Sequence, residues 1–268
     1  MDKYIKTKDG YQVKYSVFGD RNNPAIFFIT GIGGNSAVWN DYIEPFVNDF
    51  YILTNDFRGF GMSDRPKRVE DYRFENFSDD LDLILSNENI EKVHLIGHCF
   101  GGSVAINYVK RYKQRVDKMI LIETSNEVSH LAKFFVKVKP LMYSFNYFIK
   151  ILPSWHRKGY QDFSKYKGSW DMEPKHIIND MLRASVFSYL STLYNYLCYN
   201  DVANYEIDKH SLLVAGKKDI VYPPKQLHKL KHIFKNNQLI EIDDNHLLPV
   251  NRVEDLIKII HQFLKEDK

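Results

Sequence analysis

The sequence predicts an α/β protein: a mostly parallel sheet joined by crossover helices, with a helical cap inserted between two strands. Three observations carry that expectation. Short apolar runs recur at 25–29, 50–53, 93–96, 119–122, 212–215 and 239–242, the mark of buried strands. Helical patterns lie between several of them, which requires crossover connections and parallel neighbours. From about 126 to 208 the alternation stops, and an aromatic, helix-like stretch takes over.

Taken in order, residues 11–18 read as a strand, closed by the turn signals Gly19-Asp20 and Asn22-Asn23-Pro24. The run at 25–29 ends in a glycine-rich loop, Gly31-Ile32-Gly33-Gly34. A helix over about 78–85 places Leu81, Ile84 and Leu85 on one face. A second starts near Cys99 and carries Val104, Ala105, Tyr108 and Val109; a last one spans about 253–264 with Leu256, Ile257, Ile260, Phe263 and Leu264. The interrupting stretch holds Phe134, Phe135, Tyr143, Phe145, Tyr147, Phe148, Trp155 and Trp170, divided by Pro140, Pro153 and Pro174. Residues 1–125 and 209–268 are therefore expected to form the core domain, and 126–208 the cap.

With 268 residues, 44% apolar and 15% aromatic, the chain has ample apolar surface to offset its conformational entropy, and disorder is excluded. A net charge of +3 is too small to point to nucleic acid. Cys99 and Cys198 are the only cysteines, too few for a disulfide framework or a structural zinc site. The first six residues show no secretory h-region, and no run of about 18 apolar residues occurs. A cytoplasmic protein with free thiols and no membrane partner is expected. Residues 131–205 hold ten Lys/Arg against five Asp/Glu, so the cap is +5 and the remainder −2. Those lysines read as a solvated face, or as an attraction for an anionic substrate or an acidic carrier.

The strongest motif is a buried strand running straight into Gly97-His98-Cys99-Phe100-Gly101, with a helix following. It has the form of the G-x-S-x-G nucleophile elbow with Cys as the nucleophile. The turn is tight enough to strain the nucleophile's backbone, and side chains larger than Gly at its flanks would clash. It presents the sulfur at a helix N-terminus, which favours negative charge. A cysteine nucleophile needs a base, and the base an orienting carboxylate. Asp219, after the run at 212–215, and His246, after the run at 239–242, follow in that order. Both would sit at strand carboxyl ends, where α/β sheets place their sites. Glu123 is the second choice of acid, followed by Asp243 and Asp244, while His98 reads as a packing or hydrogen-bonding residue. The backbone N–H groups of Ile32 and Phe100 are candidates for an oxyanion hole. The glycine loop lacks the Lys-Ser/Thr of a phosphate loop and the third Gly of a dinucleotide fingerprint.

These motifs resemble the α/β-hydrolase-fold superfamily, in its capped lactonase, C–C-hydrolase and small-esterase form. The matching stretches are 30–34, 55–64, 97–102, 216–219 and 245–246, and they span nearly the whole chain outside the cap. The resemblance implies a doubly wound eight-stranded sheet, a Cys99–His246–Asp219 triad and a pocket beneath the cap. Two positions depart from it: Thr30 stands where the family often has a His, and Cys99 where it usually has Ser. Dienelactone hydrolases and polyhydroxyalkanoate synthases also carry Cys at the elbow. The first lack a large cap and the second are longer chains.

A thiol ionises far nearer neutrality than a serine hydroxyl. The covalent intermediate would be a thioester, and exchange between thioesters is nearly balanced in energy. The expected activity is acyl transfer, as a hydrolase or acyltransferase acting on an ester, lactone or thioester. The substrate would be a small acyl compound, free or carried on CoA or an acyl carrier protein. No cofactor and no metal are expected. Two other readings remain open: a ligand-binding protein without turnover, and a proton-transfer or lyase activity in which His246 works without a covalent adduct.

Overall fold

The computed structural model describes residues 1–127, 139–149, 156, 159–171, 173–199 and 206–266. Eight strands are present: β1 Asp2–Lys6, β2 Gln12–Phe18, β3 Ala25–Ile29, β4 Tyr51–Asn55, β5 Val93–His98, β6 Val116–Ile122, β7 Ile207–Gly216 and β8 Phe234–Ile242. They form one sheet in the order β1-β2-β4-β3-β5-β6-β7-β8. The β1/β2 and β2/β4 pairs are antiparallel, and every later pair is parallel. The expected α/β class and eight-stranded, mostly parallel sheet are thus present.

Why the central strands are unbroken apolar runs is clear from their two faces. In β3 all five residues are buried, yet Ile26 and Phe28 join one core cluster while Phe27 and Ile29 join the other. Met119 and Leu121 of β6 likewise oppose Ile120 and Ile122. The strand period of two survives inside the runs, because both faces are covered. One face is covered by α1 Asn40–Phe46 and by the long C-terminal helix described below; the other carries α2 Phe74–Asn87 and α3 Phe100–Arg111. Strand β1 has no counterpart among the sequence expectations. It is an edge strand with exposed Asp2, Tyr4 and Lys6, and charged edges carry no apolar run to read.

Between β6 and β7 the described helices are α4 Lys139–Ile149, α5 Pro174–Ala184 and α6 Val186–Cys198. Phe134, Phe135, Pro153 and Trp155 lie outside the described residues. A proline opens α5, where its missing N–H costs nothing. Ser185, at φ 85°, breaks α5 from α6 and caps α6 by accepting from the Ser188 N–H at 3.2 Å. After β7 come α7 Pro224–Leu230, the short α8 Leu248–Asn251 and α9 Val253–Lys265. The last buries Leu256, Ile260, Phe263 and Leu264 on one stripe.

Polar contacts join the segment between β6 and β7 to the rest. Arg65 donates to the Ala184 and Arg183 carbonyls, both at 2.9 Å, at the end of α5, where a cation complements the free carbonyls. The Asn195 amide of α6 donates to the Val69 carbonyl at 2.7 Å. The buried Tyr72 and Ser188 hydroxyls lie 2.9 Å apart.

Candidate active site

The elbow forms as its spacing requires. Cys99 joins β5 to α3 with φ 53° and ψ −121°, a backbone region that costs a non-glycine residue of order 1–3 kcal/mol. The turn is held by the Cys99 N–H donating to the Ile122 carbonyl at 3.0 Å and by the Thr124 hydroxyl donating to the Cys99 carbonyl at 2.6 Å. A Cβ at Gly97 would stand 2.7 Å from the Gly102 Cα, and one at Gly101 2.4 Å from the Thr30 carbonyl oxygen. Only glycine allows this close passage of strand, helix and loop.

Asp219 sits just past β7, and His246 on the loop between β8 and α8. The His246 Nδ1 lies 2.8 Å from Asp219 Oδ2. A carboxylate only accepts, so this contact places the ring proton on Nδ1. The other Asp219 oxygen accepts from the Val221 and Tyr222 N–H groups at 2.7 and 2.8 Å, which pins the carboxylate. The Cys99 sulfur neighbours the same ring closely enough to act on its charge. Burial alone would push the imidazole down, but the Asp219 carboxylate and the Cys99 sulfur outweigh it and hold His246 well above its ordinary range. Cys99, His246 and Asp219 are thus brought together from three strand ends, and all three are buried.

Phe100 follows Cys99 at the start of α3, and Ile32 lies in the glycine-rich loop after β3. Phe100 N–H is the first of α3, and the first N–H groups of a helix have no partner within it. A Cβ on Gly31 would stand 3.2 Å from the Cys99 Cβ and 3.7 Å from its sulfur, so the glycine loop passes directly beside the nucleophile's position.

Glu123 is near but differently engaged. It leaves β6 at φ 48°, accepts from the Leu248 N–H at 3.2 Å, and faces His98 Nε2 at 3.3 Å. The same His98 nitrogen lies 3.2 Å from the His246 carbonyl. Burial drives Glu123 well above the carboxylate range, and burial with the neighbouring His246 drives His98 well below the usual histidine range. Both are therefore favoured neutral. Donor atoms of His98, Glu123 and His246 lie within 4.8 Å of one another, but His246 Nδ1 and His98 Nε2 already have the protein partners named above. Asp243 pairs with Lys218 at 3.0 Å and Asp244 with Arg252 at 2.6 Å, both away from the ring.

Several participants carry no motif in the sequence. Asp171 accepts from the His246 N–H at 2.7 Å through one oxygen and from the Ile220 N–H at 2.9 Å through the other. It thereby ties the two loops bearing His246 and Asp219 to the segment inserted after β6. Asn245 donates to the Ser169 carbonyl at 2.6 Å beside it. On the glycine-loop side, Gln161 donates to the Gly33 carbonyl at 2.7 Å and to Asp180 at 3.1 Å. The Tyr196 and Tyr222 hydroxyls lie 2.6 Å apart, and the Tyr222 ring stands 5.7 Å from that of His246. Burial raises the Tyr189 and Tyr222 phenols, and the Cys99 sulfur adds to both. Signals exist for Tyr222, three residues past Asp219, and for Asn245, which belongs to the matching stretch 245–246; the others are single polar residues between β6 and β7. A cavity of about 470 Å³ lined by Arg21, Tyr51, Glu88 and Lys92 lies at the opposite, amino ends of the strands.

Strand order, strained elbow and strand-end acid and histidine together define a class: doubly wound α/β proteins with a nucleophile-type residue after the central strand. A family model described as alpha/beta hydrolase fold matches residues 24–252, and the chain belongs to that family. Epoxide hydrolase 3 of Xenopus tropicalis is 25% identical over 294 residues, 98% of this chain and 78% of that protein. Proline iminopeptidase PfmaB of Pestalotiopsis fici is 25% identical over 284 residues, 96% and 98% of the two chains. A Mycobacterium tuberculosis relative is 34% identical, but over 118 residues that cover 44% of this chain and 33% of its own. Among solved structures, a hydrolase from Pseudomonas aeruginosa superposes with TM-score 0.77 at 18% identity, over 99% of this chain and 98% of its own. An enol-lactonase from Burkholderia xenovorans does so with TM-score 0.73 at 19% identity, over 98% and 100%.

Proposed function

We propose that the protein is an acyl-transfer enzyme that works through a covalent acyl-Cys99 intermediate, with His246 as base and acid and Asp219 as the residue that orients it. The observation that carries this reading is the His246 ring, held between the Asp219 carboxylate and the Cys99 sulfur. In the reaction the Cys99 sulfur attacks the acyl carbon of an ester, lactone or thioester. The oxyanion forms against the Ile32 and Phe100 N–H groups. The carbonyl then re-forms, the bond to the leaving group breaks, and the leaving group takes its proton from His246. Water, or another acceptor, then gives a proton to His246 and attacks the thioester, releasing the acid or transferred acyl product and the thiolate. Asp171 and the His98–Glu123 pair position the His246 loop.

The chemistry of the nucleophile separates this from the activity named for the Xenopus relative. A thiolate that opens an epoxide forms a thioether, whose C–S bond water does not cleave, so Cys99 would be consumed. An acyl thioester is readily cleaved. A thioester donor, such as acyl-CoA or an acylated carrier protein, makes the first step nearly balanced, and the basic composition of 131–205 favours an anionic donor.

The test is intact-protein mass after brief exposure to acyl-CoA thioesters, activated esters and a simple epoxide, with Cys99→Ala alongside. The expected result is turnover of at least one acyl donor, with an acyl adduct mapped to Cys99 when the reaction is quenched early. The epoxide should give a permanent adduct. Undiminished acyl turnover by Cys99→Ala would overturn the covalent reading in favour of His246 acting alone. Stoichiometric ligand binding without turnover would favour a binding protein.

A further inference from the structure

Two side chains beside the glycine loop carry polar atoms that the fold does not use. Asp180 of α5 and Tyr189 of α6 meet at Gly33. A Cβ there would stand 3.0 Å from the Asp180 Cβ, 3.4 Å from its Oδ2 and 3.0 Å from Tyr189 Cε2. Tyr166 and Gln161 both donate to Asp180 Oδ1, at 2.5 and 3.1 Å. That fixes the carboxyl and leaves Oδ2 with no hydrogen-bond partner among the described residues. The Tyr189 hydroxyl has none among them either. Tyr196 and Tyr222 differ, because their hydroxyls meet each other at 2.6 Å.

The pair lies within reach of a chain held on Cys99. Gly31 passes beside the sulfur, 3.7 Å from where its Cβ would stand, and the two residues from Gly31 to Gly33 span at most about 7 Å. The sulfur also acts on Tyr189 directly: burial, Asp180 and Cys99 together raise the phenol, so its hydroxyl stays protonated and can donate.

A donor and an acceptor at one point define the group they fit. An alkyl chain would leave both unpaired, which costs free energy away from water. An ammonium satisfies the carboxyl but gives Tyr189 nothing to donate to. A carboxylate accepts from Tyr189 but meets Asp180 as a second acceptor. A hydroxyl or a carboxamide donates and accepts at once.

We propose that Asp180 and Tyr189 form a subsite for a neutral polar substituent, a hydroxyl or a carboxamide, on the acyl chain bound to Cys99. The proposal rests on the acyl-transfer reading and names the substrate class within it.

The experiment compares N-acetylcysteamine thioesters in two pairs of matched shape: 3-hydroxypropanoyl against butanoyl, and succinamoyl against 4-methylpentanoyl. The full chain and Tyr189→Phe are assayed side by side. The variant loses only a hydroxyl that bonds nothing in the described structure, so it is expected to fold, and its thermal transition is checked against the parent. Each preference is a ratio of kcat/KM values within one preparation, so a fraction of unfolded protein does not move it. The polar member of at least one pair should be preferred at least tenfold, and the pair that shows it separates a hydroxyl from a carboxamide. Tyr189→Phe should cut that preference at least fivefold. Turnover with no preference in either pair, or a preference that survives in the folded variant, would overturn the subsite and leave the acyl-transfer reading standing. No turnover and no Cys99 adduct with any of the four donors would remove that reading, and the subsite with it.

Discussion

The sheet and helix α4 of the segment inserted after β6 are both rich in large apolar residues, yet they turn many of them in opposite directions. In β3 each apolar side chain is buried, three toward one layer of helices and two toward the other. In α4 Leu141, Phe145 and Phe148 face solvent while Asn146 is buried. An apolar run therefore reports burial only where two layers stand ready to cover it. The two regions meet through polar contacts. Arg65 holds the end of α5, Gln161 holds Gly33, and Asp171 holds the loops of His246 and Asp219. Cys99, Asp219 and His246 all come from the sheet's strand ends, and Asp171 of the inserted segment ties the loops of the last two together.

The largest effect tests whether the chemistry belongs to the sheet side alone. Asp219→Asn removes the carboxylate that holds His246 well above its ordinary range and fixes its Nδ1 proton. It should lower kcat/KM by about 10³–10⁴-fold. Glu123→Gln keeps a neutral group of the same shape beside His98 and should cost less than about tenfold. Steady-state kinetics on the best acyl donor checks both. An equal loss from the two would make Glu123 an equal partner in orienting His246.

The next tests the contrast in packing directly. Phe28 is fully buried among Trp39, Tyr42 and Phe46, so Phe28→Ala should destabilise by about 3–5 kcal/mol. Phe145→Ala, on the exposed stripe of α4, should change stability by no more than about 0.5 kcal/mol. Urea unfolding measures both. A large loss at Phe145 would mean that it packs in solution, and the contrast would collapse.

What the sequence made legible follows the same division. The central strands could be read because burial on both faces leaves continuous apolar runs. The elbow could be read because its geometry demands glycine at fixed places around Cys99. Asp219 and His246 could be read because each sits just past a strand. Asp171, Asp180 and Gln161 could not. Each works through two or three hydrogen bonds to backbone or to scattered side chains, and that role imposes no spacing and no periodic pattern. His261 of α9 carries no sequence signal of its role either: its ring stacks on Phe46 at 4.7 Å. The outward face of α4 was equally hidden, because a stripe at helical spacing looks the same whether it turns inward or outward.

The smallest effect concerns the seam itself. Asp180 projects from α5 toward the glycine loop, where a Cβ on Gly33 would stand 3.0 Å from its own Cβ. Burial lifts its carboxyl from the usual 3.8 to about 6, against the opposing hydrogen bonds from Tyr166 and Gln161. A carboxyl whose folded pKa is raised contributes stability that is fully present below its unfolded pKa and is lost as pH rises through the folded one. The contribution is therefore present below about pH 4 and gone above about pH 7. Asp180→Asn keeps a neutral acceptor for Tyr166 and removes the titration. The variant and the parent should match near pH 4, and the variant should become the more stable by up to ~3 kcal/mol above pH 7. Urea unfolding at several pH values measures the difference. A difference that stays constant with pH would mean that Asp180 is as well solvated as a surface carboxylate, and that the seam beside the glycine loop is open to water and not closed by α5.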